Sequence, residues 1–252
     1  MHTAPLTAWV RHLPMACLLC RGATQGTSLC HGCRISLPWQ GSTCSRCALP
    51  MPAQPSCSTS PCPHCPDTFL RFFQQVISPL RYEAPCSTLI NAFKHDGRLD
   101  CGYLLGTLLA EHLVAHLATA TSITAQPDVI VPVPLHWRRL QQRGFNQSHC
   151  LAQWISALTR IPILPALSRH RRTQRQQQLG RSGRYDNLHG AFHVSGSVSG
   201  AHVALVDDVI TTGSTAATLA VVLHEAGARS VSVWTVARTL PSSLLSENLF
   251  HP

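Results

Sequence analysis

The spacing of hydrophobic positions changes near residue 66. Before it, Cys, Pro, Ser and Gly dominate and apolar runs are too short to build a core. After it, apolar strands alternate with amphipathic helices. The segment from about 67 to 125 opens on Phe69, Phe72 and Phe73 and continues through Leu80-Arg81-Tyr82 and the run Leu89 to Lys94. Leu104, Leu105, Leu108, Leu109, Leu113 and Leu117 then recur at spacings of three and four, which predicts a helix over 101–118 packed on a sheet. Asp128-Val-Ile-Val-Pro-Val-Pro134 is a β-branched run closed by prolines, the pattern of a buried strand feeding a loop. Gln147 to Leu158 reads as a helix, His202 to Val206 as a strand, Thr215 to Ala226 as a helix closed by Gly227, and Ser230 to Val236 as a strand. Such alternation predicts a mainly parallel α/β sheet flanked by helices. Residues 168–190, rich in Arg and Gln and nearly free of apolar periodicity, read as a long mobile loop of a kind that is often functional, and the tail after Pro241 as loosely attached. These shifts divide the chain into 1–66, 67–125, 126–240 and 241–252.

Composition adds three constraints. A chain of 252 residues with 44% hydrophobic positions can bury a sizeable core, which excludes wholesale disorder. Lys and Arg number 20 against 11 Asp and Glu, and the resulting charge of +9 favours phosphate-bearing partners, nucleotides or nucleic acid, over a merely solvated surface. The largest basic cluster runs from Arg169 to Arg184. No uncharged apolar run reaches the ~18 residues of a membrane span. Arg11 and Pro14 interrupt the first sixteen residues, so no secretory signal is read there. The 12 cysteines must then be explained in a reducing compartment, and a cytoplasmic location is expected.

Four cysteine pairs share one spacing: Cys17–Cys20, Cys30–Cys33, Cys44–Cys47 and Cys62–Cys65. Two intervening residues let both sulfurs of a pair turn toward one ion, and two such knuckles complete a tetrahedral four-cysteine site. A region so poor in core needs a staple, and structural zinc supplies one. Consecutive pairs holding two zinc ions, a double zinc ribbon, is the simplest arrangement. Closed four-cysteine sites leave no position for a substrate, which argues against redox chemistry. Cys86, Cys101 and Cys150 read as small core residues, Cys57 could replace a ligand of the last pair, and His64 reads as a spectator.

Val203-Ala-Leu-Val-Asp-Asp-Val-Ile-Thr-Thr-Gly-Ser-Thr215 is the most informative stretch. It reads as a buried strand ending at two acids, followed by a hydroxyl-rich turn that opens a helix. Ligands of parallel sheets gather at the carboxyl ends of strands, and free amides of a helix's first turn attract anions. Thr211, Thr212, Ser214 and Thr215 add hydroxyl donors, and Gly213 allows close backbone approach. Asp207 and Asp208 would repel phosphate, so a sugar diol is their natural partner. A Thr-capped turn needs less than this, and neither a Walker loop nor G-x-G-x-x-G is present.

This stretch resembles the phosphoribosyl pyrophosphate motif of type I phosphoribosyltransferases. The rest of the chain narrows the resemblance to the ComF family, which includes the GntX-like DNA-utilisation proteins. The matching pieces are the cysteine knuckles, Phe93-Lys-His-Asp-Gly-Arg98, Val131-Pro-Val-Pro-Leu-His136, Arg143-Gly-Phe-Asn-Gln147 and Gln176 with Leu179, Arg181 and Arg184. Asn187-Leu-His-Gly-Ala-Phe192 and Val233-Trp-Thr-Val-Ala-Arg-Thr239 complete them. Gly183 departs from the family pattern, where helix-forming or charged residues are commoner.

The resemblance implies a type I phosphoribosyltransferase-like sheet over 126–240, a hood or linker over 67–125 and the double zinc ribbon over 1–66. It implies that Asp207 and Asp208 hold the ribose 2′ and 3′ hydroxyls while Val209, Thr211, Thr212, Gly213, Ser214 and Thr215 wrap the 5′-phosphate. His136, Arg138 and Arg139, followed by Arg143 and Asn146, would carry pyrophosphate, with Mg²⁺ held mostly by the substrate's own oxygens. Asp207, Asp208 and Arg143 would be catalytic, and Lys94 either a contact of the site or a surface residue. Arg169, Arg171, Arg172, Arg181 and Arg184 would lie on the family's mobile cover. Two roles follow: phosphoribosyl transfer, or binding of single-stranded DNA by a protein that keeps the pocket without turnover. Both belong to the uptake or use of external DNA, with other DNA-uptake proteins as partners. The ribbon could instead serve only to dock protein.

Overall fold

The computed structural model describes residues 14–51, 62–65, 67–119, 126–169, 192–241 and 244. In chain order the elements are β1 (Pro14–Ala16), β2 (Ala23–Gln25), α1 (His31–Ile35), α2 (Asp67–Phe72), β3 (Gln75–Ile77), β4 (Leu80–Arg81), α3 (Cys86–His95) and α4 (Leu99–Thr119). They continue with β5 (Val129–Pro132), α5 (Trp137–Arg143), α6 (Gln147–Thr159), β6 (Leu167–Arg169), β7 (Phe192–Val194), β8 (His202–Ile210), α7 (Ser214–Glu225) and β9 (Ser230–Arg238).

The apolar runs of β8 and β9 are buried on both faces, which places them at the centre of a parallel sheet. The sheet has five strands: β5 pairs with β8, β8 with β9, and β9 with both β3 and β4, all in parallel. Val203, Leu205, Val231 and Val233 face α2 and α7 on one side. Ala204, Val206, Trp234 and Val236 face α3, α4 and α6 on the other. This is the expected parallel sheet flanked by helices, preceded by a cysteine-rich part.

Several boundaries differ from the sequence reading. β8 and β9 both run further than the apolar pattern suggests, because their backbones keep pairing through Asp207↔Thr235, Val209↔Ala237 and Ile210↔Arg238. Ser168 and Arg169, expected in a loop, pair antiparallel with His193 and Phe192, while residues 170–191 lie outside the described residues. Leu244, in the expected tail, is buried against the α2–α7 side of the core.

The cysteine-rich part is not separate from this core. Cys17, Leu29 and Leu37 pack with the α3–α4 side, and Cys44, Cys47, Leu49 and Cys62 with the α2–α7 side. Between the two knuckle sets, Trp39 bridges Leu80 antiparallel, and Gln40 N–H donates to the Pro79 carbonyl at 2.8 Å. The chain thereby covers part of the exposed edge at β4.

α4 is long and apolar enough to cross a membrane by length and composition, at a mean hydropathy of 1.2. Half of that stretch is buried inside the protein, where it packs on α3 and α6 and touches β9. Two glycines permit the approach: a Cβ at Gly102 would sit 2.4 Å from the Phe93 ring, and one at Gly106 would sit 2.5 Å from Trp154. Phe93 is fully buried and stacks on Phe145 at 5.3 Å, whereas Trp154 is only partly buried and can shift. Overpacking costs about 1–3 kcal/mol against a helix-propensity gain of about 1 kcal/mol. Gly102→Ala is therefore expected to lower the urea midpoint and Gly106→Ala to leave it nearly unchanged. Equal midpoints for wild type and Gly102→Ala would contradict this packing.

Candidate functional site

The last residues of β8 and the start of α7 enclose the candidate ligand site. The strand does not end at the paired acids, as expected from sequence, but continues through them to Ile210. Side chains leave the plane of a sheet, so charged residues there do not interrupt backbone pairing. Thr211 and Thr212 are then exposed, and Gly213 adopts a left-handed conformation at φ +72° as the N-cap of α7. Glycine is required here twice over. Its φ disfavours other residues, and a Cβ would lie 2.4 Å from the ring of the fully buried Phe69. Thr212 Oγ1 lies 3.0 Å from Ser214 Oγ and accepts from the Ser214 N–H at 3.4 Å. A small solvent-open cavity of about 60 Å³ follows, lined by Asp207, Thr211, Gly213, Ser214, Thr215 and Thr235 among others.

The two acids diverge. Asp207 lines the cavity and is half-buried; its Oδ1 accepts from Ser148 Oγ and from the Asp208 N–H, both at 2.9 Å. Burial first, and the neighbouring Asp208 charge second, push its carboxyl up to about 7, against the hydrogen bonds from the Asp208 N–H and Ser148 and the charge of Lys94. Asp208 is buried and turns toward α3, where Lys94 Nζ lies 2.9 Å from its Oδ2. Because Lys94 is also largely enclosed, at 19% side-chain exposure, this pair is more than a screened surface contact. Losing either partner would strand a buried charge.

The loop leaving β5 supports the same site from the side. His136 is buried and caps α5, its Nδ1 accepting from the Arg138 N–H at 3.3 Å. Asn146 caps α6 by accepting from the Ser148 N–H at 3.0 Å, while its Nδ2 donates to the Val133 carbonyl at 3.0 Å. Both ends of that amide are thus spent on joining β5 to α6, which places Ser148 beside Asp207. Arg143 Nη1 donates to Gln147 Oε1 at 2.6 Å. Burial lowers the Arg143 pKa, while the Asp208 charge raises it and the Arg139 charge lowers it. Arg138 and Arg139 are exposed, and the Arg138 guanidinium sits 5.1 Å from the centre of the Trp137 ring.

Of the expected ligand-binding residues, Asp207, Val209, Thr211, Gly213, Ser214 and Thr215 share the cavity. Thr212 adjoins it in the chain, whereas Asp208 turns to Lys94 and Arg143 to Gln147, and neither lines it. His136, Arg138, Arg139 and Asn146 belong to the neighbouring loop and do not line the cavity. The side chain of Arg169, and all of Arg171, Arg172, Arg181 and Arg184, lie outside the described residues, as does Cys57.

Three contributors escape the sequence reading. Ser148 directly follows the Arg143–Gln147 piece, yet nothing local marks it as a partner of Asp207. Lys94 stands out, but not its pairing with Asp208. Arg238 falls inside the Val233–Thr239 piece with no role assigned to it, yet it is 2% exposed and donates to backbone carbonyls of Cys47, Ile210, Thr211 and Thr239.

The cysteines gather in two groups of four, Cys17/Cys20/Cys30/Cys33 and Cys44/Cys47/Cys62/Cys65, with all sulfurs in each group within 4.8 Å of one another. Consecutive pairs combine, as expected. Tetrahedral zinc with bonds of about 2.3 Å requires sulfurs about 3.8 Å apart. The Cys20–Cys30 separation of 3.7 Å meets this and the Cys47–Cys62 separation of 3.4 Å is slightly tighter. Gly22 and Cys33 N–H groups point at Cys20 and Cys30 sulfurs at 3.4 Å, favouring thiolates. Each group could hold a structural zinc ion. Cys86, by contrast, is a core thiol that burial pushes up to about 12.

No family model matches the chain. The DNA utilization protein YhgH of Salmonella typhimurium is 35% identical over 245 residues, covering 95% of this chain and 100% of that protein. Competence protein F of Haemophilus influenzae is 37% identical over 161 residues, covering 62% of this chain and 69% of that protein. Among solved structures, the allosteric regulatory enzyme of purine biosynthesis is 26% identical with a TM-score of 0.37, over 53% of this chain and 25% of that one.

Native mass spectrometry of the protein purified without chelator should find two zinc ions per chain. Cys20→Ser and Cys47→Ser should each remove one of them. A single ion in the wild type, or both lost from either variant, would contradict two independent closed groups.

Proposed function

Because the chain belongs to the family of the DNA utilization protein YhgH and competence protein F, we propose that it binds phosphoribosyl pyrophosphate or a related nucleotide in the cytoplasm, in the uptake or use of external DNA. One observation carries this reading: Asp207 opens into the same cavity as Thr211, Ser214 and Thr215 at the start of α7. The carboxylate suits a sugar hydroxyl, and the helix start with its hydroxyl groups suits a terminal phosphate. Lys94 holds Asp208 and leaves Asp207 as the acid facing the ligand. Mg²⁺ would neutralise the pyrophosphate and be held mainly by the ligand's oxygens, with Asp207 the carboxylate in reach. Arg143, half-buried and bonded to Gln147, would reach the pyrophosphate only by giving up that bond, and otherwise balances the Asp208 charge.

A second reading, single-stranded DNA binding, is favoured by α5. None of its residues is buried, and Trp137 is 48% exposed with the Arg138 guanidinium against its ring and Arg139 beside it. An exposed aromatic next to arginines can stack a base while the cations meet phosphates. The two readings are compatible, since α5 lies on the loop adjoining the cavity.

Calorimetric titration with phosphoribosyl pyrophosphate and Mg²⁺ tests the first. Asp207 binds a proton more readily when folded than when unfolded, so its contribution to stability declines as pH rises from the ordinary carboxylate range through about 7. A hydroxyl donor prefers the ionised form. Wild-type affinity should therefore fall about tenfold from pH 8 to pH 6, as the ionised fraction falls. Asp207→Asn should bind weakly at both pH values with that carboxylate's dependence removed, and should raise Tm more at pH 8 than at pH 5. Absence of binding at millimolar ligand would refute the assignment.

For the second reading, fluorescence anisotropy with labelled oligo-dT should show affinity that falls steeply with salt. Trp137→Ala should weaken it about tenfold, within the range for loss of one stacked base. Salt-independent binding, or an unaffected Trp137→Ala variant, would exclude that surface.

A further inference from the structure

Arg238, at the end of β9, is a cation enclosed by the core. Its Nε donates to the Cys47 carbonyl at 3.0 Å, and its Nη1 serves the carbonyls of Ile210 at 3.1 Å, Thr239 at 3.1 Å and Thr211. The guanidinium also lies 5.4 Å from the centre of the Phe69 ring, the ring against which Gly213 is closed. One side chain therefore touches a ligand residue of the second four-cysteine group and the first two residues after the paired acids and Val209. It shares its aromatic floor with Gly213. Carbonyl dipoles alone are a poor counterweight for a buried charge. Four thiolates around a divalent ion would carry net negative charge, and Arg238 is bonded to the backbone of one of those four cysteines, Cys47.

We propose that Arg238 is a positioning residue through which metal occupancy of the Cys44/Cys47/Cys62/Cys65 group sets the geometry of the loop from Ile210 to Thr215. With the metal bound, the Cys47 carbonyl is fixed and the anionic cluster holds the guanidinium in place. The guanidinium then holds the Ile210 and Thr211 carbonyls inward, and the start of α7 faces the cavity. With the metal gone, the cation loses both its anchor and its counter-charge, and the loop loosens. The Cys17/Cys20/Cys30/Cys33 group packs on the opposite face of the sheet and has no such connection among the described residues. The two metal groups are thus unequal: the second is part of the ligand site. Only the final consequence, on ligand affinity, rests on the proposed function.

Amide hydrogen exchange of the full-length protein without ligand reads the loop directly. Arg238→Gln should retain two zinc ions yet exchange the amides of 211–216 about tenfold faster, with Arg238→Lys in between. Cys20→Ser should leave that segment protected and Cys47→Ser should expose it. Should Arg238→Gln misfold, partial chelation of the wild type with back-titration of zinc gives the same reading, the segment regaining protection only as the second group refills. Unchanged exchange in Arg238→Gln, or equal exposure from Cys20→Ser and Cys47→Ser, would overturn the coupling. Phosphoribosyl pyrophosphate titration of the same variants is a separate measurement: a wild type that fails to bind refutes the ligand assignment while the exchange result stands.

Discussion

Two carboxylates on neighbouring residues at the end of a buried strand repel each other, and much of the surrounding structure resolves that repulsion. Solvent cannot screen them fully, because Asp208 is buried and Asp207 half-buried. The charge is divided instead. Asp208 turns into the α3 side and meets Lys94 at 2.9 Å, and Asp207 takes the Ser148 hydroxyl and faces the cavity. Each solution recruits another element: α3 must present Lys94, and α6 must present Ser148, which Asn146 secures by tying the helix start to the exit of β5. The residual strain appears in the Asp207 carboxyl, held well above the ordinary range by burial and by its neighbour. A fold selected only for stability would replace such a pair with apolar residues. Asp207 instead keeps its carboxyl at the mouth of a cavity, where a charge is held at the expense of stability.

The other side of the cavity depends on a different constraint, the shortage of apolar residues before residue 66. The knuckles do not form an appendage. Their cysteines and the few apolar residues between them fill the two faces of the core, the first set against α4 and the second against α2 and the loop after β8. Arg34 adds a 2.7 Å ion pair to Glu111 of α4, and Arg46 donates to the Phe73 carbonyl at 2.8 Å. Metal ions in these groups would therefore stabilise more than their own knuckles. Because Arg238 continues the second group into the Ile210–Thr211 carbonyls, the cysteine-rich region and the ligand loop are mechanically one unit.

How much of this is legible in the sequence follows from what is local. The strand-turn-helix from Val203, the cysteine pairs and the helix of α4 are readable because burial on two faces, C-x-x-C spacing and a three-to-four period are properties of adjacent residues. The end of β8 is misplaced when polarity is taken as the limit of the strand, because backbone pairing with β9 sets it. Long-range partnerships are invisible for a related reason. Lys94 with Asp208, Ser148 with Asp207 and Arg238 with Cys47 join segments that only folding brings together. The short pairing of β6 with β7 escapes notice because a polar edge leaves no hydrophobic period to detect.

The arginines show why net charge alone is a blunt guide to partners. Arg238 is buried among carbonyls and bonds to the chain itself, so its charge is unavailable to any ligand. Arg143 is half-buried, bonded to Gln147 and within the field of Asp208, so part of its charge balances an acid already present. Arg138 and Arg139 are exposed on a helix with no buried residue, and one of them lies over an exposed indole ring. A formal excess of +9 weighs these alike. Solvation separates them into a structural tie, a local counter-charge and a surface that can meet phosphate, and only the last contributes to attraction at a distance. Among these arginines, the charge free to act at a distance therefore sits on α5, at Arg138 and Arg139, while the cavity is bordered by the helix start of α7 and by Asp207.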